Sequence, residues 1–414
     1  MDRPVALVLS GGGARGAYEV GVWQALREMN VEINLACGTS VGAINSALIA
    51  QGSFDTAVSV WKSLENHMIF DLDPVKPHRM DFDLSFDNIP LSELGIYAKN
   101  LLSKGGTGVS NLKKLLTQYI NEEAVRKSPI DFGLVTAELP LLNVQRLFID
   151  HIPPGKLVDF IIASASCFPA AQAYTIGDSK YVDGAYKDNM PVAMALDKGF
   201  SQVIAVDLDA AGIIPQDPLK EVSNLIYIRS PWDLGNFLYF DGKNASHIMR
   251  LGYLDTLKSF KFYDGNLYAF SKGSISKNDL PGAEAAGKIF ALSPIHLYTG
   301  NSFNHHLKGA VQSYLHKLDE QHLRPKRRKR PLNFLYFISE LVKKNLGWEI
   351  ATIMIAEYIK DNPDVNFFSD KLSQSQKRKG FTLPLLRRFT KKMDEAFLSN
   401  QREAAAYLVS EGII

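Results

Sequence analysis

The chain has 414 residues, of which 46% are hydrophobic and 22% are charged, and its formal net charge at pH 7 is +2. This balance is ordinary for a globular protein and provides no global field that would attract nucleic acid. Two cysteines, Cys37 and Cys167, are too few for a disulfide framework and suit a reducing compartment. The sequence begins without the features of a signal peptide, and no window offers the ~18 unbroken apolar residues of a spanning helix. We therefore expect a cytoplasmic protein, with peripheral membrane contact left open.

Strand-like and helix-like segments alternate through the first half of the chain. The run VALVLS predicts a buried strand, and RGAYEVGVWQALREM has apolar residues near the helical period. INLACG and VGAINSALIAQG repeat this strand-then-helix pattern, and further strands are expected at FGLVTAEL, VQRLFID and QVIAVDLD. Such alternation predicts an α/β fold, with a mostly parallel sheet between helices.

The domain organisation follows from where this pattern weakens. A catalytic domain is expected over residues 1–230, with an insertion or lid at about 70–108, where prolines and aspartates accumulate. Residues 231–323 are expected to form a helical extension. The basic run RPKRRKRP, residues 324–331, predicts a linker to a helical C-terminal region, residues 332–414.

A glycine-rich loop, SGGGARG, follows the first strand and contains G-x-G-x-x-G at Gly11, Gly13 and Gly16. Such a loop often binds a pyrophosphate at the N-terminus of a helix. A dinucleotide fold would also place an acidic residue at the end of the second strand, and none stands there. Nucleotide binding therefore remains only an alternative, which nucleotide-dependent thermal stabilisation would reveal.

Ser40 stands at that strand end instead, between Gly38 and Gly42 in GTSVG. This is G-x-S-x-G, the pattern of a nucleophile elbow, in which flanking glycines leave room for a strained turn between strand and helix. A plain glycine-rich turn is the alternative.

Both loops follow adjacent strands, so they are expected at the same end of the sheet. The amides of Gly11, Gly12 and Gly13 would then face Ser40 as an oxyanion hole. Arg15, in the first turn of the helix, would hold the loop in shape, approach an anionic head group, or be solvated.

A serine nucleophile needs a base. None of the nine histidines has a compelling context, and each is more simply a surface or partly buried residue. They are His67, His78, His151, His247, His296, His305, His306, His316 and His322. Asp183 has a better sequence context for a base, because it follows the strand-like KYV and precedes Gly184. An Asp-Gly pair is, however, usually only a turn.

Together the three motifs resemble the patatin-like phospholipases, a family of serine lipid acyl hydrolases. That family has a glycine-rich oxyanion loop, a G-x-S-x-G elbow and a downstream D-G-A/G base motif, and this sequence has SGGGARG, GTSVG and DGA in that order. The segment ASASCFPAA, together with Asn189 and Pro191, adds to the resemblance, which covers roughly Val5 to Asp209.

The resemblance implies a patatin-like fold and a dyad of Ser40 as nucleophile and Asp183 as base, with no histidine, metal or cofactor. Gly11, Gly12 and Gly13 would supply the oxyanion donors. The residues expected to support the motifs are Arg15, Gly16, Gly38, Gly42, Gly184 and Ala185. The implied reaction is hydrolysis of a glycerolipid or phospholipid ester, of the phospholipase A or lysophospholipase type, through an acyl-enzyme.

Two further alternatives stay open. One is an α/β-hydrolase esterase with a Ser-His-Asp triad, for which His247 is a candidate base. The other is a non-catalytic interaction protein, which would not react with a fluorophosphonate probe. Apolar segments near the site, including ASASCFPAA and parts of the insertion, would line an acyl slot or belong to the core.

The C-terminal part offers a candidate contact with an anionic membrane. Basic residues lie beside aromatic ones in LNFLYFISELVKKNLGWEI and KRKGFTLPLLRRFTKKM. The linker RPKRRKRP contains six further basic residues. Those six are Arg324, Lys326, Arg327, Arg328, Lys329 and Arg330. The alternative is a solvated linker followed by helices that pack on the main domain.

Overall fold

The computed structural model describes residues 4–71, 108–167, 170–320, 348–361 and 399–414. The chain divides into two compact units, Met1–Lys261 and Phe262–Ile414. The expected insertion at about 70–108 lies almost entirely outside the described residues. The basic linker at 324–331 and most of the region after it also lie outside them.

An eight-stranded sheet organises the first unit. Its strands are β1 Val5–Leu9, β2 Ile33–Thr39, β3 Asp131–Glu138, β4 Asn143–Phe148, β5 Tyr174–Ile176, β6 Ser179–Asp183, β7 Gln202–Asp207 and β8 Asn224–Arg229. They lie in the order β5-β6-β3-β2-β1-β7-β8, and β4 also pairs with β3. Five neighbouring strands, β3, β2, β1, β7 and β8, are parallel to one another. The strands β4, β5 and β6 pair antiparallel. This confirms the mostly parallel sheet.

Helices flank this sheet, as the alternating pattern predicted. They are α1 Ala17–Glu28, α2 Val41–Ala50, α3 Phe54–Ser63, α4 Asn66–Ile69, α5 Ser110–Tyr119, α6 Glu122–Arg126, α7 Leu157–Ser164, α8 Val192–Asp197, α9 Gln216–Glu221 and α10 Gly242–Ser259. All five residues of β1 are buried, which explains its continuous apolar sequence. Val8, Leu35 and Val203, from three neighbouring strands, share one buried cluster with Met194 of α8.

The first unit continues past its expected end at residue 230, because α10 packs tightly on α1. A Cβ at Gly21 would lie 1.8 Å from the carbonyl oxygen of Met249, and one at Gly252 would lie 2.1 Å from that of Tyr18. Only glycine permits so close a crossing of two helices. The buried Tyr18 hydroxyl also donates to Asp255 of α10 at 2.8 Å. Residues 231–261 therefore belong with the sheet rather than with a separate extension.

The second unit is mainly helical, in agreement with the sequence-based expectation. Its described helices are α11 Leu280–Ile289, α12 Gly300–Glu320, α13 Trp348–Asp361 and α14 Ser399–Ser410. It also contains a three-stranded sheet that the sequence did not predict, made of β9 Tyr263–Asp264, β10 Ala269–Ser271 and β11 Leu297–Tyr298. Strands of two or three residues are too short for a recognisable alternation. Across both units, none of the helices in the described ranges is long and apolar enough to cross a membrane.

Candidate active site

Ser40 occupies a strained turn between β2 and α2. Its φ is 56° and its ψ is −122°, which is a backbone conformation that non-glycine residues rarely adopt. Such strain costs on the order of 1–3 kcal/mol and persists only where the surroundings enforce it. The neighbouring glycines permit the turn, since a Cβ at Gly38 would lie 2.4 Å from the Gly42 carbonyl carbon and one at Gly42 would lie 2.4 Å from the Leu9 oxygen.

A serine that the sequence reasoning missed fixes this turn from the other side. The Ser40 amide donates to Ser164 Oγ at 2.9 Å, and the Ser164 hydroxyl donates to the Val135 carbonyl at 2.6 Å. The Ser164 side chain therefore connects the turn to β3. In the sequence it is one of several small residues in ASASC, with no signal of its own.

Asp183 lies at the end of β6 and lines the same cavity as Ser40. The Ala185 amide donates a hydrogen bond to Asp183 Oδ1 at 2.8 Å. Only 2% of Asp183 is exposed. Burial raises the pKa of this carboxyl to about 6, and the Ala185 hydrogen bond and the neighbouring Ser40 side chain oppose that rise without cancelling it.

The register of β3 brings these two residues together. Val135 of β3 pairs with Thr39, the last residue of β2, and the next residue, Thr136, pairs with Asp183. Because β2 runs parallel to β3 and β6 runs antiparallel to it, the C-terminal ends of both strands meet at adjacent positions of β3.

The glycine-rich loop lies beside Ser40 at the same end of the sheet. The Gly11 amide donates to the Asn189 side-chain oxygen at 3.0 Å and is also 3.1 Å from the Asn189 carbonyl. It is therefore already bonded within the protein. No hydrogen bond among the described residues uses the amides of Gly12 and Gly13, and both residues line the same cavity as Ser40. The sequence placed Asn189 near the third motif but did not predict its bond to the first.

Arg15 holds the loop in shape, one of the three roles considered for it. Its guanidinium donates to the carbonyls of Gly235 at 2.7 Å, Leu208 at 3.2 Å, and Asp209. Only 17% of its side chain is exposed. The segments after β7 and β8 are thereby tied to the loop.

A largely apolar cavity of about 180 Å³ opens on Ser40 and Asp183. Its apolar walls come from α2, α3, α5 and the segment before α10. Part of ASASCFPAA contributes as well, namely Ala165, Cys167, Ala170 and Ala171, whereas Phe168 and Pro169 lie outside the described residues. Burial raises the pKa of the Cys167 thiol to about 12, so this cysteine is not a competing nucleophile.

Other motif residues lie in the short turns that flank the site. Gly16 ends the short 3-10 turn Gly13–Gly16, and a Cβ there would lie 2.4 Å from Val41. Gly184 and Ala185 begin the 3-10 turn after Asp183. Histidines are not part of the site in the described portion of the chain, since none of them lines the cavity. This includes His247, which lies on α10, while His78 and His322 fall outside the described residues.

A parallel sheet that presents a serine on a strand-to-helix turn, beside a buried carboxylate and a glycine-rich loop, is an arrangement typical of serine acyl hydrolases. Residues 7–196 match the model of the family described as Patatin-like phospholipase. The chain therefore carries a domain of the patatin-like phospholipase family.

Relatives with curated names align with about half of the chain. Lysophospholipase NTE1 of Debaryomyces hansenii is 28% identical over 219 residues, which are 50% of this chain and 12% of that protein. Patatin-like phospholipase domain-containing protein 7 of Rattus norvegicus is 24% identical over 212 residues, 49% of this chain and 13% of that protein. The match thus spans about an eighth of each relative. The crystal structure of VipD from Legionella pneumophila aligns with 100% of this chain and 92% of its own, at 13% identity and a TM-score of 0.38.

Proposed function

We propose that this protein is a lipid acyl hydrolase of the phospholipase A or lysophospholipase type, which cleaves carboxyl esters of glycerolipids. The observation that carries the proposal is the convergence of Ser40 and the buried Asp183 on one largely apolar cavity. The family of the domain and the lysophospholipase name of a relative point to the same chemistry.

In the first half of the reaction, the ester carbonyl lies against Ser40 Oγ. Asp183 accepts the hydroxyl proton while Oγ forms a bond to the carbonyl carbon, and the carbonyl oxygen becomes an oxyanion. A carboxylate with a pKa of about 6 is a better base than an ordinary aspartate and is still mostly ionised at neutral pH. Collapse of the tetrahedral intermediate breaks the bond to the alcohol, which takes the proton from Asp183 and leaves the acyl group on Ser40.

The oxyanion is stabilised by the glycine-rich loop. We assign this role to the amides of Gly12 and Gly13, because the Gly11 amide is already bonded to Asn189. Gly11 then contributes by its lack of a side chain rather than as a hydrogen-bond donor. A Cβ there would lie 2.4 Å from Asn189 Oδ1 and 3.1 Å from Ser40 Cβ. Donors fixed before the reaction need no rearrangement when the charge develops.

In the second half, a water molecule takes the place of the alcohol. Asp183 accepts its proton, the hydroxide oxygen attacks the acyl carbon, and the same amides bind the second oxyanion. The bond from Ser40 Oγ to the acyl carbon then breaks and Oγ recovers its proton from Asp183. The products are a free fatty acid and the original enzyme, so no cofactor or metal is required.

Lipid as the substrate is supported by the character of the cavity. Apart from Asp183, its described lining contains no charged side chain, and helices α2, α3 and α5 supply aliphatic and aromatic ones. A fatty acyl chain is the kind of group that gains free energy by burial there, at ~0.8 kcal/mol per methylene. A lipid from an anionic membrane surface, reached through the basic C-terminal segments, remains part of this proposal.

The decisive experiment is hydrolysis of labelled glycerolipids and simple esters by the purified chain and by its Ser40→Ala variant. Release of fatty acid by the wild type but not by the variant would support the proposal. Failure of a fluorophosphonate probe to label Ser40, together with no turnover of any ester, would refute it.

A further inference from the structure

The apolar cavity has a definite direction, which α2 sets. Ser40 precedes the first turn of this helix, and Val41, Ile44 and Leu48 line the cavity from one of its faces. With a rise of 1.5 Å per residue, Leu48 lies about 12 Å from Ser40 along the helix axis. A straight acyl chain bound at Ser40 would therefore run along α2 toward its C-terminal end.

Helix α5 contributes a second wall of the cavity. Leu112, Leu115, Leu116 and Tyr119 of this helix line the cavity, at spacings of three and four residues that place them on one face. Ile120 follows directly and lines the cavity as well.

The cavity is closed where these two helices end. Leu48 and Leu116 are each 3% exposed and Ile120 is 8% exposed, so this end does not open to solvent. Gln51, the residue after α2, links the C-terminal ends of the two helices. Its side-chain amide donates to the Tyr119 carbonyl at 2.8 Å, and its side-chain oxygen accepts from the Asn121 amide at 2.9 Å. The two helix ends are thus held together beyond Leu48.

We propose that Leu48, Leu116 and Ile120 form the closed end of an acyl-chain pocket and set the longest acyl chain that the site accepts in full. This inference rests on the proposed function for its choice of ligand, because it takes the acyl group to bind with its carbonyl at Ser40. A methylene that still fits against these side chains is buried, whereas one beyond them has no apolar surface to reach.

The test is a series of linear saturated fatty acids, from butyrate to stearate, titrated by calorimetry into the Ser40→Ala protein. The carboxylate is the same throughout, so differences in affinity report on the chain alone. Affinity should rise about fourfold with each added methylene while the chain fills the pocket, and then level off. We call the chain length at which affinity stops rising the levelling point. Leu48→Ala and Leu116→Ala should move this levelling point to longer chains, and Leu48→Phe should move it to shorter ones.

Ile49→Ala is the matched control, since Ile49 is a neighbouring residue on α2, is 1% exposed and does not line the cavity. It should lower stability without moving the levelling point, and thermal melts of each variant would verify that it is folded. A levelling point unchanged in all three cavity variants, or absent from the parent protein, would overturn the proposal. If affinity levels off as described but the wild type hydrolyses no ester, the pocket stands and the proposed reaction fails.

Discussion

Ser40 and Asp183 lie close together because the strand ends that carry them pair with two consecutive residues of β3. Val135 fixes the end of β2 and Thr136 fixes the end of β6. The two groups are therefore placed by the hydrogen-bonding register of the sheet rather than by a flexible loop. In the proposed mechanism, little reorganisation is therefore needed before the proton passes from Ser40 to Asp183.

Loss of either partner should nearly abolish ester hydrolysis. Ser40→Ala removes the nucleophile and Asp183→Asn removes the base, and the double variant should be no worse than either single one because the two act as a unit. Initial rates on a soluble short-chain ester would measure this. Ser63→Ala and Asp178→Asn, at exposed positions, are matched controls that should retain activity.

The same assay separates the dyad from a triad. Alanine substitution at each of the nine histidines should leave the rate within several-fold of wild type. If one folded histidine variant lost as much activity as Ser40→Ala, a histidine base would replace Asp183 in the mechanism.

Activity should depend on pH through the ionisation of Asp183. The base works only when ionised, and burial raises its pKa to about 6, so kcat/KM should increase with pH and reach half its plateau near that value. A rate profile in buffers of constant ionic strength would show it. A midpoint near the ordinary carboxyl value, about 4, would mean that the free enzyme does not bury this group as described.

The same burial should make Asp183 costly for stability at neutral pH. A carboxyl whose pKa is higher in the folded than in the unfolded state stabilises the fold below the unfolded value, and this stability is lost as pH rises through the folded value. Going from the ordinary value of 3.8 to about 6 corresponds to about 3 kcal/mol at most. Asp183→Asn should therefore melt higher than wild type at neutral pH, and the difference should shrink as the pH falls from about 6 to about 4. Equal melting temperatures at every pH would contradict this.

Substitutions in the glycine-rich loop should act mainly on kcat. A Cβ at Gly12 would lie 2.7 Å from the Leu208 side chain, and one at Gly13, where φ is +53°, would lie 2.1 Å from the Phe237 carbonyl oxygen. Gly12→Ala and Gly13→Ala would thus displace the amides, and loss of one oxyanion donor costs on the order of a hundredfold in rate. Gly309→Ala, with no atom within 4 Å of the added carbon, is the control. Wild-type kcat in both loop variants would exclude this loop as the oxyanion hole.

Binding to anionic vesicles should depend on the basic run at 324–331, a prediction that rests on the sequence alone. Each exposed Lys or Arg near such a surface is worth roughly 1 kcal/mol, and salt screens the attraction. Replacing Arg327, Arg328, Lys329 and Arg330 with glutamine should weaken vesicle binding, as should high salt, while hydrolysis of a soluble ester stays unchanged. If vesicle binding were unchanged by both the substitutions and high salt, the basic run would be only a linker and not a membrane contact.

The local parts of the site can be predicted from the sequence alone. The elbow at Ser40 and the glycine-rich loop are turns whose steric demands fall on consecutive residues, so their glycines mark them directly. Alternating strand and helix patterns likewise predicted the mostly parallel sheet, since the period of apolar residues is a local property of each segment.

Which of these parts meet depends on contacts between segments that are distant in the chain. The pairing of Asp183 with Ser40 depends on the register of two strands against β3, and the bond from Gly11 to Asn189 joins residues far apart in the chain. The sequence-based boundary at residue 230 differed from the structure for the same reason: glycines at 21 and 252 allow α10 to pack on α1, and neither glycine reveals its partner. Contacts between distant segments are selected by the packing of the whole unit, which no single stretch of sequence encodes.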